Sequence, residues 1–206
     1  MTNYKKVVTA ISRAMPGNKD GLEVLQGIAV YTTIKTQFDR SEPYTLAFSN
    51  LLFVATDRYV VAAHGRGLDA AKGTHRDYAG ELLAVVPASS VKQLLHDIPT
   101  GKSARPLMTF YPETNRVSVS GGPEIPVRED GRFYDVMRAF PDKVPTTGLD
   151  YFDLSGPVFK KIAAMVTAQG PKTAVRLQGY KPERPYMVGS VGDVQLLVAG
   201  VERKDV

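Results

Sequence analysis

Three segments of the chain repeat apolar residues at intervals of three and four, the spacing that places them on one face of an α-helix. These segments cover residues 4–15, 88–98 and 156–169. Each is followed by a proline or glycine, which stops a helix. Ser155 precedes the third segment as a helix cap, and Ser89 or Ser90 can cap the second. The pattern predicts three amphipathic helices.

Between the helices, short β-branched and aromatic runs separated by turn residues predict strands. The predicted strands cover residues 22–35, 44–48, 51–55, 59–63, 107–111, 116–120, 124–128, 173–178, 186–190 and 194–201. Gly192-Asp193, between the last two, is typical of a hairpin turn. Because parallel strands need longer connections, we expect antiparallel pairing. The predicted fold class is α+β, with antiparallel sheets that carry the helices on one face.

The elements repeat in a loose order, in which a helix followed by about three strands occurs three times along the chain. The helix starts are unevenly spaced, so no strict residue period links the three units. Residues 142–150, which contain Pro145 and Gly148, are the best candidate for a linker between units.

The composition, 43% apolar and 23% charged, is that of an ordinary globular protein. The absence of cysteine excludes disulfides, thiol nucleophiles and cysteine metal sites, and it fits a reducing compartment. No segment has the order of a signal peptide or the length of a membrane span, so we expect a cytoplasmic protein without membrane contact. The net charge of +5 favours a polyanionic partner.

No set of residues in the sequence predicts an active site. The three histidines, His64, His75 and His96, lack the spacing and the further ligand of a zinc site. The run from Gly170 to Thr173 imitates a phosphate-binding loop, but a strand follows where such a loop needs a helix. We therefore expect a protein that is not an enzyme and needs no cofactor or metal. An enzyme whose carboxylates meet only in three dimensions stays open as an alternative.

Basic residues lie on the polar faces of all three predicted helices. They are Lys5, Lys6, Arg13, Lys92, Lys160 and Lys161. If the helices lie side by side, these charges merge into one positive strip that contacts phosphates without reading bases. The alternative is that these residues belong to ordinary solvated helix faces.

Several segments resemble the bacterial DNA polymerase III β sliding clamp. ATDRYVVA at residues 55–62 is similar to the family's ATDGHRLA turn, and VPASSVKQLL at 86–95 resembles its strand-to-helix entry. RFYDV at 132–136 with AFP at 139–141 resembles the segment that closes a clamp domain. Residues 152–198 are similar to the last half-domain of those clamps.

The resemblance implies a shortened clamp of about one and a half domains. Residues 1–141 form a clamp-like domain of two helix-plus-strands units, 142–150 a linker, and 151–206 a half-domain. In the family the helices line a hole around DNA and the sheets form the outside. An unpaired half-domain leaves a sheet edge exposed, so we expect a homo-oligomer held by a symmetric contact.

The resemblance also implies a pocket for a partner peptide, formed by the Thr-Asp turn and the C-terminal strand. The corresponding residues are Thr56, Arg58, Tyr59, Val61, Val198, Ala199 and Val201. Two departures bear on this pocket: YVV replaces the family's HRL in the turn, and AGVER replaces its terminal MPMRL. The methionines that such a groove uses are therefore missing.

The functional expectation is a non-catalytic, sliding-clamp-like accessory or modulator of DNA replication, of the processivity-factor type, that binds duplex DNA, replication proteins, or both. The alternative is a clamp mimic that binds host replication proteins without binding DNA. A shortened clamp is the kind of product that a phage encodes, although no residue identifies the source.

Overall fold

The computed structural model describes residues 2–17, 22, 25–34, 38–39, 41–66, 68, 80–101, 104–128, 133, 154–180 and 186–199. The three predicted helices are present as α1 (Tyr4–Ser12), α2 (Ala88–Asp97) and α3 (Gly156–Gln169). None of these described helices has the length and apolar character needed to cross a bilayer.

The helix caps agree with the sequence prediction only in part. In α1 the side chain of Asn3 accepts a hydrogen bond from the backbone N–H of Lys6 at 3.1 Å. Pro87 occupies the N-cap position of α2, and Ser90 is buried in the first turn instead of capping it. Ser155 does occupy the N-cap of α3, but no side-chain cap bond is formed there within the described residues.

The described strands form two antiparallel sheets. The strands are β1 (Gly27–Thr32), β2 (Tyr44–Ala47), β3 (Leu51–Thr56), β4 (Val60–His64), β5 (Leu82–Pro87), β6 (Leu107–Tyr111), β7 (Arg116–Val119), β8 (Ile125–Pro126), β9 (Val175–Tyr180), β10 (Tyr186–Val191) and β11 (Val194–Ala199). One sheet has seven strands in the order β5-β1-β3-β4-β11-β10-β9, and the other has four in the order β2-β6-β7-β8. The predicted α+β class is confirmed.

The sequence prediction missed one strand and overextended another. β5 was not predicted because its apolar run has no alternation, and Leu83 to Val86 are all buried. β1 begins at Gly27 instead of residue 22 and ends at Thr32 instead of residue 35. Its two edges pair with β5 and β3, and every residue is buried because buried clusters cover both of its faces.

The third unit extends the sheet of the first. β11 pairs with β4, which places Val198 opposite Val60 and Leu197 opposite Val61. Above the sheet, α2 contacts β1 and β5, α1 contacts β3 and β4, and α3 contacts β10. The three helices therefore lie in one layer in the order α2, α1, α3. The division into a domain and a half-domain stays a prediction, and the linker 142–150 lies outside the described residues.

Buried apolar residues lie on both faces of the seven-stranded sheet. The helix-side cluster lies beneath the helices and includes Val60, Leu196 and Val198. It also includes Met108 in β6 of the second sheet and Phe48, which directly follows β2. The outer-face cluster includes residues from β1, β3, β4 and β10. Neighbouring residues of a strand thus join different clusters, as the two-residue period of a strand requires.

Candidate functional site

Two contacts fix α1 and α3 side by side. The ammonium of Lys6 in α1 lies 3.3 Å from the carbonyl oxygen of Gln169, the last residue of α3. Near the opposite end of the pair, the ammonium of Lys161 lies 3.1 Å from the carbonyl oxygen of Met15. The two helices therefore run antiparallel, and their polar faces are adjacent in the helix layer.

The exposed charge of the helix layer is positive. Lys6, Arg13, Lys92 and Lys160 are exposed, and Lys5 is half-buried. α1 and α3 contain no aspartate or glutamate, and α2 contains only Asp97.

The one carboxylate of the helices does not offset these cations at the surface. The side chain of Asp97 is only 5% exposed. It accepts hydrogen bonds from Gln93 Nε2 at 2.8 and 3.0 Å and lies 2.9 Å from His96 Nδ1. The outward face of the three helices is therefore an anion-attracting surface.

Lys161 differs from the other predicted DNA-binding residues. Its side chain is 24% exposed, and its ammonium forms an ion pair with Asp57 in addition to the Met15 contact. These partners lie in the turn between β3 and β4 and just beyond α1. Lys161 thus joins the third unit to the first, and it is less exposed than the other helix cations Lys6, Lys92 and Lys160.

Asp57 organises the turn that carries it. Its Oδ1 accepts hydrogen bonds from the backbone N–H groups of Tyr59 at 2.9 Å and Val60 at 2.8 Å. The Thr56 hydroxyl oxygen accepts a third such bond, from the N–H of Arg58, at 3.1 Å. Because the other carboxylate oxygen of Asp57 pairs with Lys161, this buried residue connects the turn to α3.

Arg58 occupies a left-handed backbone conformation, with φ at 81°. A side chain in this region costs about 1–2 kcal/mol relative to glycine, which has no Cβ. In the clamp motif that residues 55–62 resemble, the corresponding residue is a glycine.

We expect Arg58→Gly to raise the free energy of unfolding by about 0.5–1 kcal/mol, because relief of strain exceeds the added chain entropy of glycine. Urea unfolding measures this change. Arg58→Ala is the matched control, because it removes the same side chain but keeps a Cβ. Equal stabilities of the two variants would contradict the backbone explanation.

The structure brings only part of the predicted peptide pocket to one surface. Tyr59 is 62% exposed, and its carbonyl oxygen accepts a hydrogen bond from the N–H of Ala199 at 2.8 Å, so the turn and the C-terminal strand are neighbours. Val61 belongs to the outer-face cluster, whereas Val198 belongs to the helix-side cluster. These two valines therefore lie on opposite faces of the sheet.

The remaining predicted pocket residues add little exposed area. Thr56 is buried, Arg58 is exposed and Ala199 is half-buried. Val201 lies outside the described residues. The surface that remains is a small outer-face patch of Tyr59, Leu197 and Ala199, because Val61 is itself buried.

His64 is a buried residue at the end of β4. Its Nδ1 lies 2.7 Å from the carbonyl oxygen of Asp193, to which it can donate, and its ring lies 5.8 Å from that of Tyr4. Burial lowers the pKa of the imidazole, and it raises the pKa of the Tyr4 phenol. No His, Cys, Asp and Glu cluster in the described part of the chain could hold a metal ion. His75 lies outside that part.

The lowered pKa of His64 predicts a pH-dependent stability. In the unfolded chain the imidazole has a pKa of about 6.5. Just below that pH the unfolded chain binds a proton, whereas folded His64 stays neutral because its pKa is lower. The stabilising contribution of neutral His64 is therefore present above about pH 6.5 and is lost as the pH falls toward the lower folded pKa. Urea unfolding between about pH 8 and pH 5 tests this, with His64→Gln expected to show a smaller decline. Identical pH profiles would contradict the assignment.

Comparison with known proteins identifies the fold. No family model matches the sequence, and no curated protein does. Among solved structures, the DNA polymerase III β subunit of Thermotoga maritima matches with a TM-score of 0.58 at 12% identity, over 99% of this chain and 64% of that one. The DNA polymerase III β chain of Streptococcus pneumoniae matches with a TM-score of 0.57 at 7% identity, over 98% of this chain and 64% of that one. The DNA polymerase III β subunit of Pseudomonas aeruginosa matches with a TM-score of 0.55 at 12% identity, over 99% of this chain and 64% of that one.

These matches confirm the clamp resemblance at the level of fold. The chain has the architecture of a DNA polymerase III β subunit and spans 64% of the length of those structures.

Proposed function

We propose that this protein is a non-catalytic, clamp-like accessory of DNA replication whose helix layer lies against the backbone of double-stranded DNA. The observation that carries the proposal is the charge of that layer: exposed cations on three adjacent helices, with the only carboxylate of the helices almost fully buried. The sliding-clamp fold supports the same use of the helices. The cysteine-free sequence supports a cytoplasmic location.

The arrangement suits phosphate contact without base recognition. Packed helices lie about 8–10 Å apart, so long lysine side chains on neighbouring helices can reach successive phosphates along a duplex. Each neutralised phosphate releases condensed counterions, which makes the affinity strongly dependent on salt. Flexible lysines on helix faces supply charge but no fixed pattern of donors for base edges.

The proposal is tested by measuring the affinity for two duplexes of unrelated sequence by fluorescence anisotropy across a salt series. With five cations in contact, a plot of the logarithm of the association constant against the logarithm of the salt concentration should have a slope of roughly −4 to −5. The slope should be the same for both duplexes. Absence of binding at about 50 mM salt, or a slope near zero, would contradict the proposal.

A second candidate function is a clamp mimic that binds replication proteins without DNA. The outer-face patch favours it, because Tyr59 is a large side chain that is 62% exposed. Binding of a purified replicative polymerase in the absence of DNA, lost in Tyr59→Ser, together with no duplex affinity, would favour this candidate over the first.

A further inference from the structure

We infer that His96 is a further phosphate contact of the helix layer, and that it makes this contact as an imidazolium, so that duplex binding takes up a proton. The inference rests on the proposed DNA contact and concerns the response of that surface to pH. Because the charge of an imidazole changes between about pH 5 and pH 8, His96 differs from the lysines and arginine of the same layer, which stay charged over this range.

His96 lies on the face of α2 that also carries Lys92. The two residues are four positions apart, so they are neighbours on one side of the helix. The buried residues Val91 and Leu94 lie on the other side, and α2 packs against β1, β5 and β8. The side chain of His96 is 81% exposed. A duplex whose backbone reaches Lys92 along this face therefore also reaches His96.

Asp97 orients the imidazole of His96. The Nδ1 atom of the ring lies 2.9 Å from Oδ1 of Asp97, to which it can donate. The second ring nitrogen, Nε2, is then directed away from the carboxylate and is the donor that an imidazolium offers to another anion. Because the side chain of Asp97 is only 5% exposed, an approaching phosphate meets the ring and not the carboxylate.

Three groups of α2 act on the charge of His96. The Asp97 carboxylate favours the imidazolium, and so does the position of His96 in the last turn of the helix, where the helix dipole stabilises a cation. The ammonium of Lys92 opposes it, because like charges four residues apart repel each other. A phosphate bound at Lys92 offsets that repulsion and attracts the imidazolium itself. Binding of DNA and protonation of His96 therefore favour each other.

The other elements that pack on α2 carry few charged groups. β1, β5 and β8 contain no aspartate, glutamate, histidine, lysine or arginine. Glu124, just before β8, is paired with Arg116 at 3.8 Å. The neighbouring helix α1 and its C-cap contribute the cations Lys5, Lys6 and Arg13. A phosphate backbone laid across α1 and α2 therefore offsets the cations that oppose a proton on His96 in the free protein.

The first test measures duplex affinity across a salt series at about pH 6 and about pH 8, for the unmodified protein and for His96→Gln. An ordinary imidazole is mostly protonated at the lower pH and neutral at the higher. The affinity of the unmodified protein at about 50 mM salt should be roughly three- to tenfold higher at the lower pH, and its salt slope should steepen by about 0.9, the value for one added phosphate contact. His96→Gln should show neither change.

The second test restores the charge with His96→Lys, which is cationic at both pH values. This variant should bind with the steeper salt slope throughout, whereas a role of His96 limited to the stability of α2 would leave the salt slope unchanged. Equal pH responses of the unmodified protein and His96→Gln would overturn the inference and leave the proposed DNA contact in place. Absence of duplex binding at both pH values would overturn the two together.

Discussion

Replacing Lys6, Lys92 and Lys160 with glutamate should weaken duplex binding by roughly a hundredfold at about 100 mM salt and make its salt slope shallower by about three. The variant changes one exposed lysine on each helix of the layer. Each substitution removes a phosphate contact and adds a repulsive charge, and Lys6→Glu also removes the exposed contact with the Gln169 carbonyl oxygen. Lys161 is kept, because its pairing with Asp57 holds the fold together. The affinity is measured by fluorescence anisotropy at several salt concentrations.

The matched control carries the same change in net charge on other elements. Arg58, Arg105 and Arg116 are exposed, and none of them lies in a helix. Their triple glutamate variant should keep most of the duplex affinity and nearly the whole salt slope. Equal losses in the two triple variants would mean that overall charge, and not the helix layer, determines the affinity.

Asp57→Ala should lower the free energy of unfolding by about 3–5 kcal/mol. The substitution leaves the partly buried ammonium of Lys161 without its carboxylate. It also removes the acceptor for the N–H groups of Tyr59 and Val60, and the cost of these unsatisfied groups is included in the predicted loss. Urea unfolding measures the loss, and exposed Asp193→Ala provides a control with the same change in charge.

A double-mutant cycle separates the ion pair from the turn. Asp57→Asn keeps a side-chain oxygen for the turn and removes the charge, and Lys161→Met removes the opposite charge with a similar volume. The double variant should be more stable than the sum of the single losses predicts, by about 1–3 kcal/mol, because no unpaired charge remains. Strict additivity would show that the two residues are not coupled.

The parts of the fold that were predictable have a local signal. The helices were predictable because their apolar residues repeat at helical spacing and Pro16, Pro99 and Gly170 mark their ends. The hairpin at Gly192 was predictable because that turn needs a positive φ, which is 55° in the structure. β5 and the true ends of β1 were not predictable from the sequence, because burial on both faces removes the alternation of apolar and polar residues that identifies a strand.

The parts of the candidate site that were missed depend on contacts between distant residues. Lys161 has the sequence pattern of a solvated helix lysine, and nothing local indicates its pairing with Asp57, 104 residues away. The separation of Val61 from Val198 depends on the register of β4 with β11. A shift of β11 by one residue would place Val198 on the same face as Val61, so a sequence motif could not decide whether the two valines share one pocket.

In the proposed complex, the cations of three neighbouring helices contact one duplex. Lysine acetylation followed by mass spectrometry, with and without saturating duplex DNA, identifies the lysines that DNA covers. We expect DNA to protect Lys6, Lys92 and Lys160, while paired Lys161 reacts slowly in both states and exposed Lys172, beyond α3, stays reactive. Unchanged reactivity of the three helix lysines in the bound state, with protection confined to other surfaces, would contradict this expectation.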